Sequence, residues 1–427
     1  MNNHWTYNGN TGMTSNWDRS LLKISTSALI LSAAILPTGS FASIPFKHIA
    51  YAFCCASLFG CWVRGAKINS VHLSLFIASL LFVCFFMLVG SFRATSPFYY
   101  IFAEGTSFVS TISVVLLILM ANSCNAIEDK EIVLSLFYGI LIFSFWKFAV
   151  VLLLYLNIVP IGNMLSFLDS YLGYKPISLE MPGGLYRIAI SALDFGAILF
   201  LFLLPAYPKI FSTVPRFLRI TFMITAIVAV ISSFSRFYFI FLAMLWIYLF
   251  LFKFSFKHRL LVCSIVAVIL VLSFSWIIEA YELRFESKYT RGSDITRVQQ
   301  INALLDGWED SPVLGGGIGY YTKDYVRSMY LYEVQWVAFL AKLGLVGIIY
   351  LVFLVSLLFY KILSGKKSID HYLLAVILLF TFLLGFTNPL LLGAQSSILY
   401  ILPVMVASVL RKELISQVAS TTASRAV

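Results

Sequence analysis

Two arginines lie beside long apolar stretches, where a charged side chain needs a stabilising partner. Arg187 opens one apolar stretch, and Arg236 lies at the tight turn that separates the next two. Each guanidinium group either pairs with an internal acid such as Asp194 or binds an anionic ligand, because a charge withdrawn from water must be compensated. The pattern leaves both interpretations open.

Glu333 marks the point at which a long polar segment enters another apolar stretch. It shares one helical face with Trp336, Val337 and Leu340, since residues three and four apart lie on the same side of a helix. The carboxylate is either a surface group at the edge of the apolar region or a base that faces a polar cavity. As a base, it would take the proton of an attacking hydroxyl group.

Three further ionisable residues lie within apolar stretches, namely Glu104, Lys147 and Asp194. Charges in such places are functional candidates, but mutual structural pairs explain them equally well. How these side chains act therefore depends on the elements that carry them.

The composition identifies those elements as membrane spans. Of the 427 residues, 60% are hydrophobic and 11% are charged, whereas a soluble domain carries about 25% charged residues. A soluble globule of this size cannot withdraw so much apolar surface from water. The sequence therefore predicts an all-α polytopic membrane protein, because a helix satisfies its own backbone hydrogen bonds within the bilayer.

Twelve stretches are long and apolar enough to span a bilayer, which takes about 20 residues. They are residues 20–37, 44–63, 71–90, 101–123, 132–157, 187–207, 217–235, 237–252, 259–278, 337–360, 371–387 and 390–410. Together they predict about twelve transmembrane helices in a single integral membrane domain over residues 1–427.

The basic residues predict the orientation of these spans. More than half of the 30 Lys and Arg residues fall on the same side as the N-terminus, in short clusters such as Lys253, Lys257 and Arg259. Since basic residues accumulate on the cytoplasmic side, Arg187 and Arg236 are expected outside the cytoplasm. No run of five to eight Lys and Arg residues occurs, so the net charge of +11 does not indicate a nucleic-acid partner.

Two extracytoplasmic loops stand out, the smaller at residues 158–186 and the larger at residues 279–330. A loop as long as the second is unusual in a compact bundle and is typical of a functional segment. Within it, residues 297–308 have one apolar face, which predicts a short amphipathic helix. The run Gly315-Gly316-Gly317-Ile318-Gly319 predicts a hinge or a close approach of the backbone to a ligand, and the hinge is favoured.

Five motifs in a fixed order resemble the O-antigen polymerase (Wzy-type) family of the O-antigen ligase and polymerase superfamily. They cover about residues 180–410. They are the Arg187 segment before a span, Ser235-Arg236 at the following turn, Arg297 with Ser311-Pro312-Val313-Leu314-Gly315-Gly316-Gly317-Ile318-Gly319, Tyr332-Glu333-Val334-Gln335 through Leu343-Gly344-Leu345-Val346-Gly347, and Asn388-Pro389.

The resemblance implies a metal-independent glycosyltransferase in lipopolysaccharide biosynthesis. Such a polymerase joins oligosaccharide repeat units that are linked to undecaprenyl diphosphate, and both donor and acceptor are lipid-linked glycans. The resemblance also implies the bacterial inner membrane, an active site that faces the periplasm, and a partner that regulates chain length.

The residues are suited to this chemistry. The resemblance implies that Arg187, Arg236, Arg297 and Arg291 hold the diphosphate, and the planar guanidinium group binds phosphate oxygens in a bidentate way. Arg297 would also take part in catalysis by stabilising the leaving group, with Glu333 as the base. No Asp-x-Asp motif or His cluster offers a metal site, so we expect neither a metal nor a cofactor.

Two alternatives remain. One is an O-antigen ligase, which uses the same donor but transfers the glycan to lipid A-core. Ligases of the superfamily generally have a histidine near the start of the helix that Glu333 precedes here, and this departure favours the polymerase. The other is a flippase or transporter of lipid-linked sugars. Transporters often have paired halves around a midplane site, whereas the charged motifs here cluster at the outer face.

Overall fold

A computed structural model describes residues 16–36, 41–42, 44–93, 97–174, 180–181, 185–272, 274–282, 288–322, 331–365 and 367–425. The helices in these residues are α1 Asn16–Ile35, α2 Phe46–Val63, α3 Ser70–Phe92, α4 Phe98–Ser123, α5 Asp129–Tyr155, α6 Ile161–Leu172, α7 Ser191–Ala206, α8 Arg216–Ser233, α9 Arg236–Tyr248, α10 Phe256–Leu272, α11 Phe274–Tyr281, α12 Lys288–Glu309, α13 Gln335–Leu363, α14 Ile369–Leu383 and α15 Ala394–Arg425. Two-residue strands, β1 Glu180–Met181 and β2 Leu185–Tyr186, pair in antiparallel fashion.

The all-α polytopic fold expected from the sequence is confirmed. Among the described residues, eight helices are long and apolar enough to cross a membrane. They are α2, α3, α4, α5, α8, α9 with its π-helical extension to Lys253, α13, and α14 with its extension to Phe386. Helices also cover the other four predicted stretches, and the ninth stretch is divided between α10 and α11. The number of twelve transmembrane helices remains a prediction.

The core lies around α7, which packs against α5, α8, α9 and α15. The large side chains Phe195, Phe200 and Phe202 of α7 are fully buried. Because protein surrounds α7 on several sides, the helix does not need the length of a lipid-facing span. Its first turn holds Asp194, so the burial of α7 also places an ionisable group deep in the bundle.

Helix α12 packs on the start of α13, and this contact confirms the predicted amphipathic helix in the long loop. The helix begins at Lys288 and is therefore longer than the predicted segment of residues 297–308. Leu304 is fully buried against Tyr332, Val334 and Ala338. The contact holds the segment before α13 close to the polar face of α12.

The glycine run after α12 is a packed structural loop rather than a hinge. The N–H groups of Gly316 and Gly317 donate to the carbonyl oxygens of Ala341 and Lys342. Gly317 has φ +87°, and a Cβ atom there would clash with the backbone of Gly90 in α3. The interpretation as a hinge is therefore wrong, since the glycines are needed for close backbone packing.

The same loop compensates for a break in α13. Gly344 has φ 57° and ψ −166°, which interrupts the helical hydrogen bonds. The N–H groups of Leu345 and Val346 donate instead to the carbonyl oxygens of Pro312 and Val313. The loop thus satisfies backbone groups that would otherwise lack partners within an apolar environment.

Candidate functional site

Four residues singled out by the sequence lie at the same end of the bundle. Arg187 follows β2 and precedes α7, Arg236 is the first residue of α9, and Arg297 lies on α12. Glu333 lies two residues before α13. The turns and helix ends at this end of the bundle therefore bring together positions that are up to 146 residues apart in the chain.

Arg187 is attached to the carboxyl end of α8. Its Nε donates to the carbonyl oxygen of Ser233 at 3.1 Å, and the N–H of Ile188 donates to Ser232 at 2.9 Å. The last carbonyl groups of a helix have no partner within the helix, and they form the negative end of its dipole. The segment that carries Arg187 thus satisfies two of these groups.

Arg236 lies just beyond the same helix end. Phe234 adopts a left-handed conformation with φ 49° and ends α8, which is uncommon for a residue other than glycine. The chain then reverses through Ser235 and starts α9 at Arg236. A single helix terminus therefore fixes the positions of Arg187 and Arg236.

Asp294 joins Arg236 to Arg297. One of its oxygens, Oδ1, lies 2.9 Å from Arg236 Nη2 and 2.8 Å from Arg297 Nη1. Arg297 Nε lies 3.0 Å from Oε2 of Glu333. We call Arg187, Arg236, Asp294, Arg297 and Glu333 the arginine cluster.

The arginine cluster is accessible rather than buried. The side chains of Arg236, Arg297 and Glu333 are 26%, 21% and 27% exposed, and that of Asp294 is 52% exposed. Three arginines face two carboxylates, so these five residues carry a net charge of +1. An accessible site with excess positive charge is suited to an anionic ligand.

Arg187 interacts electrostatically with the same group of charges. Its partial burial lowers the pKa of its guanidinium group, and so does the positive charge of Arg297. Tyr174 and Glu333 act in the opposite direction. An anion bound beside Arg187 would supply the charge compensation that the protein provides only in part.

A hydrogen bond from its backbone N–H to Gln300 positions Glu333. Gln300 is buried, and its Oε1 accepts the backbone N–H of Glu333 at 2.9 Å. Two residues later, Oε1 of Gln335 accepts the N–H of Leu391 at 2.6 Å. These bonds attach the start of α13 to α12 and to the segment before α15, and they limit the movement of Glu333.

Asp194 pairs with Lys147 and not with Arg187. Lys147 Nζ lies 2.5 Å from Asp194 Oδ1, and both side chains are fully buried. The other carboxylate oxygen accepts the N–H of Ile190 at 2.7 Å, and Lys147 also donates to the carbonyl oxygen of Ala229 at 2.7 Å. The interpretation in which Asp194 neutralises Arg187 directly is therefore wrong, and the structural pair explains Lys147 and Asp194.

Glu104 also belongs to a buried ion pair. Lys342 Nζ lies 2.5 Å from Glu104 Oε1, and the N–H of Gly319 donates to Glu104 Oε2 at 2.7 Å. The pair anchors the glycine loop between α4 and α13. Asp194 and Glu104 thus both belong to buried ion pairs, whereas the charges of the arginine cluster are accessible.

Sequence reasoning missed Asp294, Gln300 and Lys342 as partners. Asp294, Arg297 and Gln300 are spaced three residues apart on α12, which places them along one face. This three-residue spacing is the feature of the sequence that could have predicted that the three side chains lie close together. Lys342 was visible as a lysine within an apolar helix, but its partner Glu104 lies 238 residues away.

Arg291 lies on α12, and its side chain falls outside the described residues. Its expected contact with the diphosphate stays a prediction. Within the described part of the chain, no three His, Cys, Asp or Glu side chains group in a way that could hold a metal ion.

Part of the chain, including most of the arginine cluster, matches a known protein family. Residues 220–352 match the family model described as O-antigen ligase, and this segment contains Arg236, Asp294, Arg297 and Glu333 but not Arg187. A search of curated proteins finds no match to the chain. The match relates residues 220–352 of this chain to the O-antigen ligase and polymerase superfamily.

Proposed function

We propose that the protein is an O-antigen polymerase. It would join oligosaccharide repeat units linked to undecaprenyl diphosphate at the periplasmic face of a bacterial inner membrane. The observation that supports this proposal best is the arginine cluster, in which three guanidinium groups and Glu333 converge at an accessible end of the helical bundle. The family match supports glycosyl transfer in O-antigen assembly.

The two carboxylates occupy positions that the diphosphate would take. Asp294 and Glu333 present anionic oxygens to Arg236 and Arg297 at 2.8–3.0 Å, which is the distance expected for phosphate oxygens. A diphosphate group carries more charge than either carboxylate. It would therefore displace them from the guanidinium groups when the donor binds, and Glu333 would exchange its contact with Arg297 for one with the acceptor.

Bond formation then follows from these positions. The hydroxyl oxygen of the acceptor sugar attacks the anomeric carbon of the donor, and the bond between this carbon and the diphosphate oxygen breaks. The diphosphate leaves with the electron pair, and the arginines stabilise the charge that develops on it. Glu333 takes the proton of the hydroxyl group.

An O-antigen ligase is the second candidate, because the matching family model is described by that activity. A ligase would use the same arginines but would transfer the glycan to lipid A-core. Glu333, where ligases generally have a histidine, favours the polymerase. His48, His72, His258 and His371 lie on α2, α3, α10 and α14, none of which joins the long loop to α13.

Reconstitution with one substrate separates the two candidates. The purified protein would receive a synthetic undecaprenyl-diphosphate-linked repeat unit as the sole glycan. We expect a ladder of products that differ by one repeat unit, resolved by electrophoresis. A protein that makes no ladder but transfers the labelled unit to added lipid A-core would instead be a ligase.

A further inference from the structure

An apolar groove runs along α13, between this helix and α3, α4, α14 and α15. The cavity within this groove has a volume of about 120 Å³. On α13 its lining extends from Trp336 to Lys361, which lie near the two ends of this helix, on either side of the break at Gly344. The groove therefore runs along most of the length of a helix that can span a membrane.

Two polar residues lie together at one end of this apolar lining. His72 belongs to the first turn of α3, and Lys361 to the last turn of α13. His72 is only 5% exposed, and neither of its ring nitrogens has a hydrogen-bond partner among the described residues. A buried polar group is normally paired, so His72 is arranged to meet a group that the protein does not itself supply.

The charge around His72 is positive. Arg411 lies beside Lys361, because its Nη2 donates to the carbonyl oxygens of Lys361 and Ile362 at 2.9 and 3.0 Å. The nearby carboxylate of Asp129 pairs with Lys412 at 2.6 Å. Lys361 and Arg411 thus remain as an excess of two positive charges at the end of an apolar groove.

We propose that this end of the groove binds an anionic membrane phospholipid. The phosphate would lie against Lys361 and accept a hydrogen bond from a ring N–H of His72, and one acyl chain would follow the groove. A hydrogen bond between charged groups is stronger than a neutral one. A zwitterionic headgroup carries the same phosphate but also an ammonium group, which Lys361 and Arg411 repel. The site therefore favours a headgroup with a net negative charge, whereas the apolar lining alone would accept any chain.

Because of where the polar end of the groove lies, we assign the phosphate to a phospholipid and not to the lipid-linked donor. His72 and Lys361 lie at the opposite end of α3 and α13 from Glu333 and the arginine cluster. A donor with its diphosphate in the arginine cluster cannot place a phosphate here as well. A phospholipid of the other membrane leaflet has its headgroup at this level, so the inference does not depend on the proposed activity.

Native mass spectrometry of the full-length protein in a neutral detergent tests the proposal. The protein would be titrated with phosphatidylglycerol, phosphatidylcholine and undecaprenyl phosphate in separate series. We expect the first phosphatidylglycerol to bind about tenfold more tightly than phosphatidylcholine, because Lys361 and Arg411 repel the choline group. Equal binding of these two lipids to the unsubstituted protein would overturn the proposal.

Variants then locate the site. Lys361→Met keeps the aliphatic stem and should remove most of the preference for phosphatidylglycerol. His72→Leu keeps the approximate volume and should weaken the binding of both phospholipids. Lys257→Met is the matched control, because Lys257 is an exposed lysine at the start of α10, and its preference should equal that of the parent. A preference that survives in the Lys361→Met variant would overturn the assignment of the headgroup. Tighter binding of undecaprenyl phosphate than of phosphatidylglycerol would show that the groove serves a polyprenyl lipid instead.

Discussion

Arg297 contacts both carboxylates of the arginine cluster, and its replacement directly tests the proposal that this cluster binds a diphosphate. We expect Arg297→Ala to abolish polymer formation and Arg297→Lys to restore only part of it, because an ammonium group cannot form the bidentate bonds of a guanidinium group. The measurement is the ladder of products in isolated membranes, normalised to the amount of inserted protein.

Arg216→Ala provides the control for the arginine variants. Arg216 is an exposed arginine at the other end of α8, opposite the turn that carries Arg236, and its removal should leave the product ladder unchanged. Polymer of normal length from a variant with both Arg236→Ala and Arg297→Ala would end the proposal that these residues hold the diphosphate.

A substitution at Glu333 tests whether this residue acts in glycan transfer rather than in donor binding. Glu333→Gln keeps the shape of the side chain and removes the base, so we expect chain extension to fall about a hundredfold or more while donor binding stays near that of the parent. Single-turnover transfer and donor binding would be measured on the purified protein. Glu309→Gln, an exposed glutamate at the end of α12, is the control. A Glu333→Gln variant within about threefold of the parent would identify Glu333 as a boundary carboxylate.

At the scale of the elements, the glycine loop makes a close backbone contact with α3. Gly317→Ala should destabilise the protein by about 1–3 kcal/mol from backbone strain alone, and the contact with Gly90 adds to this effect. Thermal unfolding in detergent would measure the loss. Gly292→Ala is a matched control, because a Cβ atom at Gly292 meets nothing within 4 Å and the residue lies inside α12. If the two variants unfolded at the same temperature, the close packing of the loop would be refuted.

The buried pair Lys147 and Asp194 connects three helices beneath the arginine cluster. Because removal of one partner leaves an uncompensated buried charge, Asp194→Asn or Lys147→Met should cost about 3–5 kcal/mol. The double variant should be more stable than either single variant, as expected for residues in contact. Glu131→Gln is the comparison, since its pair with Lys23 is exposed and contributes at most about 1 kcal/mol. Strictly additive losses at positions 147 and 194 in thermal unfolding would contradict the ion pair.

At the scale of the whole molecule, the predicted orientation of the protein in the membrane can be tested directly. On a cysteine-free background, Ser293→Cys in the long loop should react with a membrane-impermeant thiol reagent in intact spheroplasts. Ser364→Cys, just after α13, should react only after permeabilisation, because basic residues collect at that end. The reverse labelling pattern would place the arginine cluster in the cytoplasm and exclude a periplasmic reaction.

The sequence predicts the helices well because hydrophobic length is a local property. The stretch 132–157, for example, corresponds to α5 at Asp129–Tyr155. Ion pairing depends instead on the packing of distant helices: Asp194 pairs with Lys147 across 47 residues, and Lys342 pairs with Glu104 across 238. The convergence of Arg187, Arg236 and Arg297 was expected only through the family resemblance, since no local pattern specifies how the turns between helices come together.

The shared oxygen of Asp294 also has a consequence for turnover. In the proposed reaction, the diphosphate left after glycan transfer would have to leave a site that is rich in arginine. Asp294 and Glu333 lie within ion-pair distance of Arg236 and Arg297, so they would compete with the diphosphate for the same guanidinium groups. The two carboxylates would thus weaken the retention of the product and return the site to its resting state for the next repeat unit.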